Sequence, residues 1–366
     1  MSRIAASELD CPPDQAPEPD ALIRAAMRWH FGPDTGSPYW LGKVRELDFD
    51  PRHDVRTTAD LALFPNLIDE LRDISVEALI PRGYSGNAEI VAIFESGGTT
   101  GPPKRVVCLS DWADRTVVHV SREMDKRGHR RGVNWLALTP TAPHMAGEYM
   151  PRLARYRGGT AFTLDMDPRW VKRCLGEGRT DEAERYIDHI LSQARVILQT
   201  QNVGVLATTP PLLERLCRNH ALVKLVREKV QVIQWGGARM DPDTRHLLRT
   251  EVFPGIDLMG TYGSTMIAGM VTERAPVASG SACVFDALSP YISFSVVNPG
   301  TDTKVDYGER GQVVMNHVSK SLLVPNNPER DTAIRVPPPP GHVGDSLSDV
   351  APMTTFDGRP VIEGVY

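Results

Sequence analysis

Six short apolar or β-branched runs, each bounded by Gly, Pro or Thr and separated by stretches of helical periodicity, most constrain what this chain can fold into. They are Glu89–Phe94, Val133–Leu138, Thr160–Leu164, Val203–Ala207, Val230–Gln234 and Ile256–Met259, short enough to be buried strands. Between them helices are expected over Ser110–Lys126, with Ala113, Val117, Val120 and Met124 on one face, and over Asp181–Ala194, Pro211–Lys229 and Asp241–Val252. Asp241 followed by Pro242 is a helix start: the carboxylate accepts free amide protons, and proline at the first helical position loses no needed donor. Strand and helix in alternation predict an α/β fold with a largely parallel sheet.

From about Ala282 the helical periodicity stops. Strands are expected at Tyr291–Val297, Gln312–Val318 and Leu322–Val324, with Pro337–Pro340 as a stiff connector. Residues 1–20, rich in Pro, Asp and Glu, read as a flexible arm, and the first periodic segment is Ala21–Phe31. An entry region to about Gly86 carries a helical pattern at Leu67, Leu71, Ile74 and Leu79, broken by Pro81 and Gly83. The expected organisation is therefore an arm over 1–20, α/β subdomains over 21–281 and a β-rich subdomain over 282–366.

With 41 Lys+Arg against 46 Asp+Glu, the formal charge is 41 − 46 = −5, which argues against a basic nucleic-acid surface. The first twenty residues lack the apolar core of a secretory signal, and no run approaches the ~20 apolar residues of a membrane span. A cytoplasmic protein without a nucleic-acid or membrane partner is expected. Cys11, Cys108, Cys174, Cys217 and Cys283 have no paired spacing, which fits reduced thiols rather than a disulfide frame or zinc cage.

The chemistry concentrates in Phe94-Glu-Ser-Gly-Gly-Thr-Thr-Gly-Pro-Pro-Lys-Arg-Val106. Gly97, Gly98 and Gly101 let backbone N–H groups approach an anion, Ser96, Thr99 and Thr100 offer hydroxyls, and Lys104 supplies a charge. It is not a Walker A loop, because Pro103 precedes Lys104 and Arg105 follows it. Further along stand Gln234-Trp-Gly-Gly-Ala-Arg-Met240 and Pro254-Gly-Ile-Asp-Leu-Met-Gly-Thr-Tyr-Gly-Ser-Thr-Met266. Three others are Thr139-Pro-Thr-Ala-Pro-His-Met-Ala-Gly147, Tyr307-Gly-Glu-Arg-Gly-Gln-Val-Val314 and Gly344-Asp-Ser-Leu-Ser-Asp349, with Gly358-Arg359 near the end.

In this order the motifs resemble those of the adenylate-forming superfamily of acyl-CoA synthetases, peptide-synthetase adenylation domains and luciferases. The resemblance implies that superfamily's large N-terminal domain, with parallel-sheet α/β subdomains and a β-rich subdomain. Gly358-Arg359 falls at the family hinge and the chain stops seven residues later, with Lys320 its last lysine, so the mobile C-terminal domain and its catalytic Lys are expected to be absent. By the same resemblance, Ser96, Gly97, Gly98, Thr99, Thr100, Gly101 and Lys104 hold the phosphates of ATP. Gly236 and Gly237 admit the nucleotide, Tyr262 lies against adenine, Gly263 and Ser264 continue that motif, and Thr265 sits near the α-phosphate. Asp345, with Asp349 second, accepts from the ribose. Gln234, Trp235, Gly236 and His144 face the acid, and Lys104, Thr265 and His144 form the catalytic set. Mg²⁺ belongs to this chemistry, but Met266 stands where the family's Glu ligand would be.

The entry region, Ser37-Pro-Tyr-Trp-Leu and Asp54–Pro65, resembles the phenylacetate-CoA ligase branch, and the short form is similar to the adenylating proteins of phenazine antibiotic biosynthesis. The expected function is ATP-dependent adenylation of an aromatic, phenazine-type carboxylic acid in secondary metabolism, giving acyl-AMP and pyrophosphate. The expected partners are a small aromatic acid and a downstream enzyme that accepts the adenylate, and a homodimer is compatible with the sequence. The alternatives are a catalytically impaired nucleotide- or acid-binding protein and an aryl-CoA ligase completed by a separate C-terminal domain.

Overall fold

The computed structural model describes residues 8–97, 102–275, 282–353, 355–356 and 359–360. Its helices are α1 (Pro19–His30), α2 (Pro38–Lys43), α3 (Pro51–Asp54), α4 (Ser110–Lys126), α5 (Met145–Tyr156), α6 (Pro168–Gly176), α7 (Thr180–Thr200), α8 (Pro210–Cys217), α9 (His220–Lys229) and α10 (Pro242–Leu247). The first strands are β1 (Ile90–Glu95), β2 (Arg105–Leu109), β3 (Asn134–Leu138), β4 (Ala161–Thr163), β5 (Val203–Thr208), β6 (Val232–Trp235) and β7 (Asp257–Ser264). There follow β8 (Gly269–Thr272), β9 (Val284–Phe285), β10 (Ile292–Val297), β11 (Arg310–Val318), β12 (Leu323–Val336) and β13 (Ser346–Pro352). Among the described residues no helix is long and apolar enough to cross a membrane.

The chain forms two compact units. One comprises Met1–His119, Ser264–Val271 and Val284–Val361, and the other Val120–Gly263, Thr272–Cys283 and Ile362–Tyr366. The β-rich end falls in the same unit as the entry region.

The second unit carries the parallel sheet, with β3, β4, β5, β6 and β7 in the spatial order β4-β3-β5-β6-β7. All six residues of β5 are buried, as strands covered on both faces require. The Pro211–Lys229 stretch is two helices rather than one, because Asn219 caps α9 by accepting from Ala221 N and Leu222 N. The expected Asp241–Val252 helix changes at Leu248 into a π-helical turn ending at Val252. Helices α5 and α6 were not anticipated, although Asp167 and Pro168 give α6 the same start signal as Asp241 and Pro242 give α10.

The first unit holds an antiparallel sheet in the order β10-β11-β12-β13-β9 and a β1–β2 hairpin. The Glu89–Phe94 run, expected among the alternating strands of a largely parallel sheet, pairs antiparallel with β2. The Leu322–Val324 strand extends to fourteen residues, because β12 pairs with both β11 and β13 and so satisfies the backbone of its polar middle. The helical pattern at 67–79 resolves into short 3₁₀ turns, Ile68–Arg72 and Val76–Leu79. Phe31, Trp40 and Phe64 form an aromatic core here, with ring centroids 5.4 to 5.9 Å apart. Arg115 ties down the N-terminal segment. It donates to the carbonyls of Cys11, Pro12 and Gln15 and stacks on Tyr291 at 4.1 Å.

Two histidines of this unit are fully buried. His30 Nε2 donates to Ser319 O at 2.8 Å, and His317 Nδ1 donates to Ile267 O at 2.6 Å while its Nε2 accepts from Ser319 Oγ. Burial lowers their pKa values to about 4 and about 3. Both stay neutral in the folded chain while the unfolded chain takes up protons below about pH 6.5. Their contribution is therefore intact above that pH and lost as the medium acidifies toward pH 4, by up to about 1.4 kcal/mol per pH unit for each ring. Denaturant titrations at pH 7 and pH 5 should differ by roughly 2–4 kcal/mol. Equal stabilities would mean that the rings protonate in place.

Candidate active site

In the first unit the candidate phosphate loop joins β1 to β2. Glu95 and Arg105 are cross-strand partners, bridged by Arg105 Nε to Glu95 Oε1 at 2.9 Å. One step further, Ser96 N donates to Lys104 O at 3.0 Å and Lys104 N donates to Ser96 Oγ at 2.9 Å. The loop thus leaves and returns through a hydrogen-bonded neck, with Gly97 just inside it. Gly98, Thr99, Thr100 and Gly101 lie outside the described residues. The Lys104 ammonium sits 2.9 Å from Asp69 Oδ1, and Arg72 reaches the same carboxylate at 3.1 Å while donating to Pro102 O. The Lys104 hydrogen bond, followed by the charges of Lys104 and Arg72, holds the Asp69 carboxyl below its usual range. Sequence reasoning missed Asp69 and Arg72; their only signal is two opposite charges three residues apart on one turn.

The second element of this unit is the Ser264–Ala268 turn. Ser264 Oγ accepts from Met266 N at 3.2 Å, and Ala268 adopts the left-handed conformation at φ 46°. Two consecutive carbonyls are clamped, Ala268 O by Trp112 Nε1 at 2.7 Å and Ile267 O by His317, with the two rings 4.0 Å apart. Thr265 is partly exposed on this turn, whereas Met266 is only 6% exposed. A buried thioether does not fit Mg²⁺, which takes hard oxygen ligands, and among the described residues no group of three or more His, Cys, Asp or Glu could hold a metal ion. Trp112→Phe keeps the ring and removes the donor. It should lower unfolding free energy by about 1–3 kcal/mol; an unchanged denaturation midpoint would show that the clamp contributes nothing.

Asp345, the expected ribose acceptor, is 1% exposed. It accepts from Arg335 Nε at 2.9 Å and Val296 N at 3.2 Å, with Lys304 Nζ at 3.6 Å. Here the carboxylate serves the fold and offers no open face. Asp349 is partly exposed and paired with Arg310.

In the second unit, Gln234, Trp235, Gly236 and Gly237 lie at the C-terminal end of β6, Tyr262 and Gly263 at the end of its neighbour β7, and His144 beyond β3. All share one edge of the sheet, the edge where open parallel α/β sheets bind ligands. His144 is the N-cap of α5, its amide donating to Thr141 O at 3.0 Å. A Cβ on Gly147 would lie 2.5 Å from the Thr141 carbonyl carbon, so glycine there lets the first turn of α5 seat on that loop.

Gln234 and Trp235 were both expected to face the acid. Successive residues of a strand project to opposite faces, so one pocket cannot receive both. In register, Trp235 lies beside Thr208 and Gly260, and Gln234 beside Ala207 and Met259. The indole covers Gly260, where a Cβ would come within 2.8 Å of Trp235 Cζ2 and 3.2 Å of Cys283 Sγ. Gly236 is required by Thr261, whose Oγ1 donates to Trp235 O at 2.9 Å and occupies the space a Gly236 side chain would need. Gly237 serves another purpose, a turn at φ 78°. Charged contacts brace β7: Glu273 forms a buried pair with Arg245 and accepts from Gly260 N at 3.2 Å, while the partly exposed Asp257 is held by Arg127 at 3.1 Å and His129 at 2.9 Å.

A parallel α/β sheet with these turns at its C-terminal edge, together with an antiparallel β-rich sheet, makes up the fold of the adenylate-forming ligases. The chain is similar to 2-hydroxyisobutyryl-CoA ligase in its postadenylation state with R3-HIB-AMP, at TM-score 0.67 and 14% identity over 93% of this chain and 69% of that one. It is also similar to an open conformation of the same ligase in complex with 2-HIB-AMP and CoA, at TM-score 0.65 and 14% identity over 94% of this chain and 76% of that one. At such identities the likeness is one of fold. No protein-family model and no curated protein sequence matches the chain.

Proposed function

We propose that this chain activates a carboxylic acid with ATP. The carboxylate oxygen attacks the α-phosphorus, the bond to the β-phosphate oxygen breaks, and acyl-AMP and pyrophosphate result. The observation that carries the reading is the necked loop with Lys104 at its foot: a Gly- and Thr-rich segment closed by strand pairing, beside a lysine whose ammonium is held by one carboxylate. An ammonium has three donors, so Lys104 can keep Asp69 and still donate to phosphate. Its task is to offset the charge developing on the departing pyrophosphate. The clamped turn fixes Thr265 for the α-phosphate, and Tyr262, Gly236 and Gly237 serve the nucleoside. Met266 offers Mg²⁺ no oxygen ligand.

The acid is aromatic, of phenazine type, and its adenylate passes to a separate enzyme of secondary metabolism; the motif resemblance supports this reading. Exchange of labelled pyrophosphate into ATP with a panel of aryl acids, with mass detection of the adenylate, tests it. Binding of nucleotide or acid without any exchange would favour the impaired binding protein, the reading that the buried Met266 supports. Thioester formation with CoA by this chain alone would replace the separate acceptor with CoA.

A further inference from the structure

Gln234 is 2% exposed, and neither its Oε1 nor its Nε2 has a hydrogen-bond partner among the described residues. Leaving both ends of a buried amide unpaired is costly, and such groups are rare in folded proteins unless a water or ligand completes them. Its surroundings fit a ligand. On the same face and in register stand Ala207 and, one strand further, Ala137, with Met259 on the other side. The two alanines end at Cβ, so the row beside the amide is short, and it lies at the strand end that leads into Gly236.

We propose that Gln234 forms the polar floor of the acid subsite, and that the acid carries, away from its carboxylate, a group that both donates and accepts hydrogen bonds, such as a hydroxyl or a carboxamide. The amide offers one carbonyl acceptor and two N–H donors, and a group of that kind answers both. An acid with a hydrocarbon body would leave the amide unpaired and be rejected, as sites built around a substrate hydrogen bond reject analogues that lack it. This inference rests on the adenylation reading for the identity of the ligand as an acid.

The test is calorimetric binding of benzoate, 3- and 4-hydroxybenzoate, 4-carbamoylbenzoate and the corresponding naphthoates to the full chain and to Gln234→Met, which conserves volume, with pyrophosphate exchange measured in parallel. The native chain should favour the polar acids by roughly 10–100-fold, and Gln234→Met should erase or invert that preference. If the variant does not fold, the native chain's preference among the acids decides alone. Equal affinities for polar and apolar acids, with exchange proceeding, would overturn this inference and assign the amide an internal water. A Gln234-dependent preference without exchange for any acid would sustain the inference and overturn adenylation. Binding of none of the acids, polar or apolar, would overturn this inference.

Discussion

Lys104→Ala should lower pyrophosphate exchange by about 10²–10³-fold, the scale of losing one strong charged donor from a reaction that develops negative charge. It should weaken ATP binding while leaving acid binding within a few-fold of native. The same substitution should barely alter stability. Asp69 is largely exposed, and ion pairs of that kind contribute about 0–1 kcal/mol. The experiment is calorimetry with ATP and with the acid separately, exchange kinetics, and a denaturant titration. Equal loss of ATP and acid affinity would remove the loop from phosphate binding. A large drop in stability would make Lys104 a structural residue.

The second large effect concerns Asp345. Removing one partner of a buried, hydrogen-bonded ion pair costs about 3–5 kcal/mol, because the remaining charge is left uncompensated. Asp345→Asn strands the Arg335 guanidinium and weakens the hold on Val296 N, so its unfolding free energy should fall by that order. Asp349→Asn, at a partly exposed pair with Arg310, should cost under about 1 kcal/mol. Denaturation of both variants separates the roles. Native stability in Asp345→Asn together with weakened ATP binding would restore Asp345 to the ribose.

The parts of the fold legible in the sequence are those where one local signal sufficed. β3, β5, β6 and β7 are apolar runs because a covered parallel sheet needs them apolar, and the Ser110–Lys126 helix shows its buried stripe directly. Where the deciding interaction is remote, the pattern misleads. The Leu67–Leu79 spacing looks helical, yet Asp73 and Ser75 interrupt it and only 3₁₀ turns form. The middle of β12 is polar, and two neighbouring strands rather than its own side chains make it a strand. The site behaves in the same way. The close approach that needs Gly236 and the positive-φ turn at Gly237 belong to local turn chemistry, which a sequence can signal. The opposed faces of Gln234 and Trp235 follow from strand geometry once β6 is placed. Trp112 and His317, more than 150 residues apart from one another or from the turn in Trp112's case, have no sequence signal that ties them to Ile267 and Ala268.

The neck formed by Ser96 and Lys104 bears on how this protein can change over time. The strands have already brought the two ends of the 97–103 segment together, closing it as a ring at the neck. Adding one residue to such a ring alters its closure entropy by about 0.1 kcal/mol, too little for folding to register. On the adenylation reading proposed above, the length of the segment is then set chiefly by the phosphates it would enclose. On that reading, a one-residue insertion there should register weakly in a screen for stability and strongly in a screen for turnover.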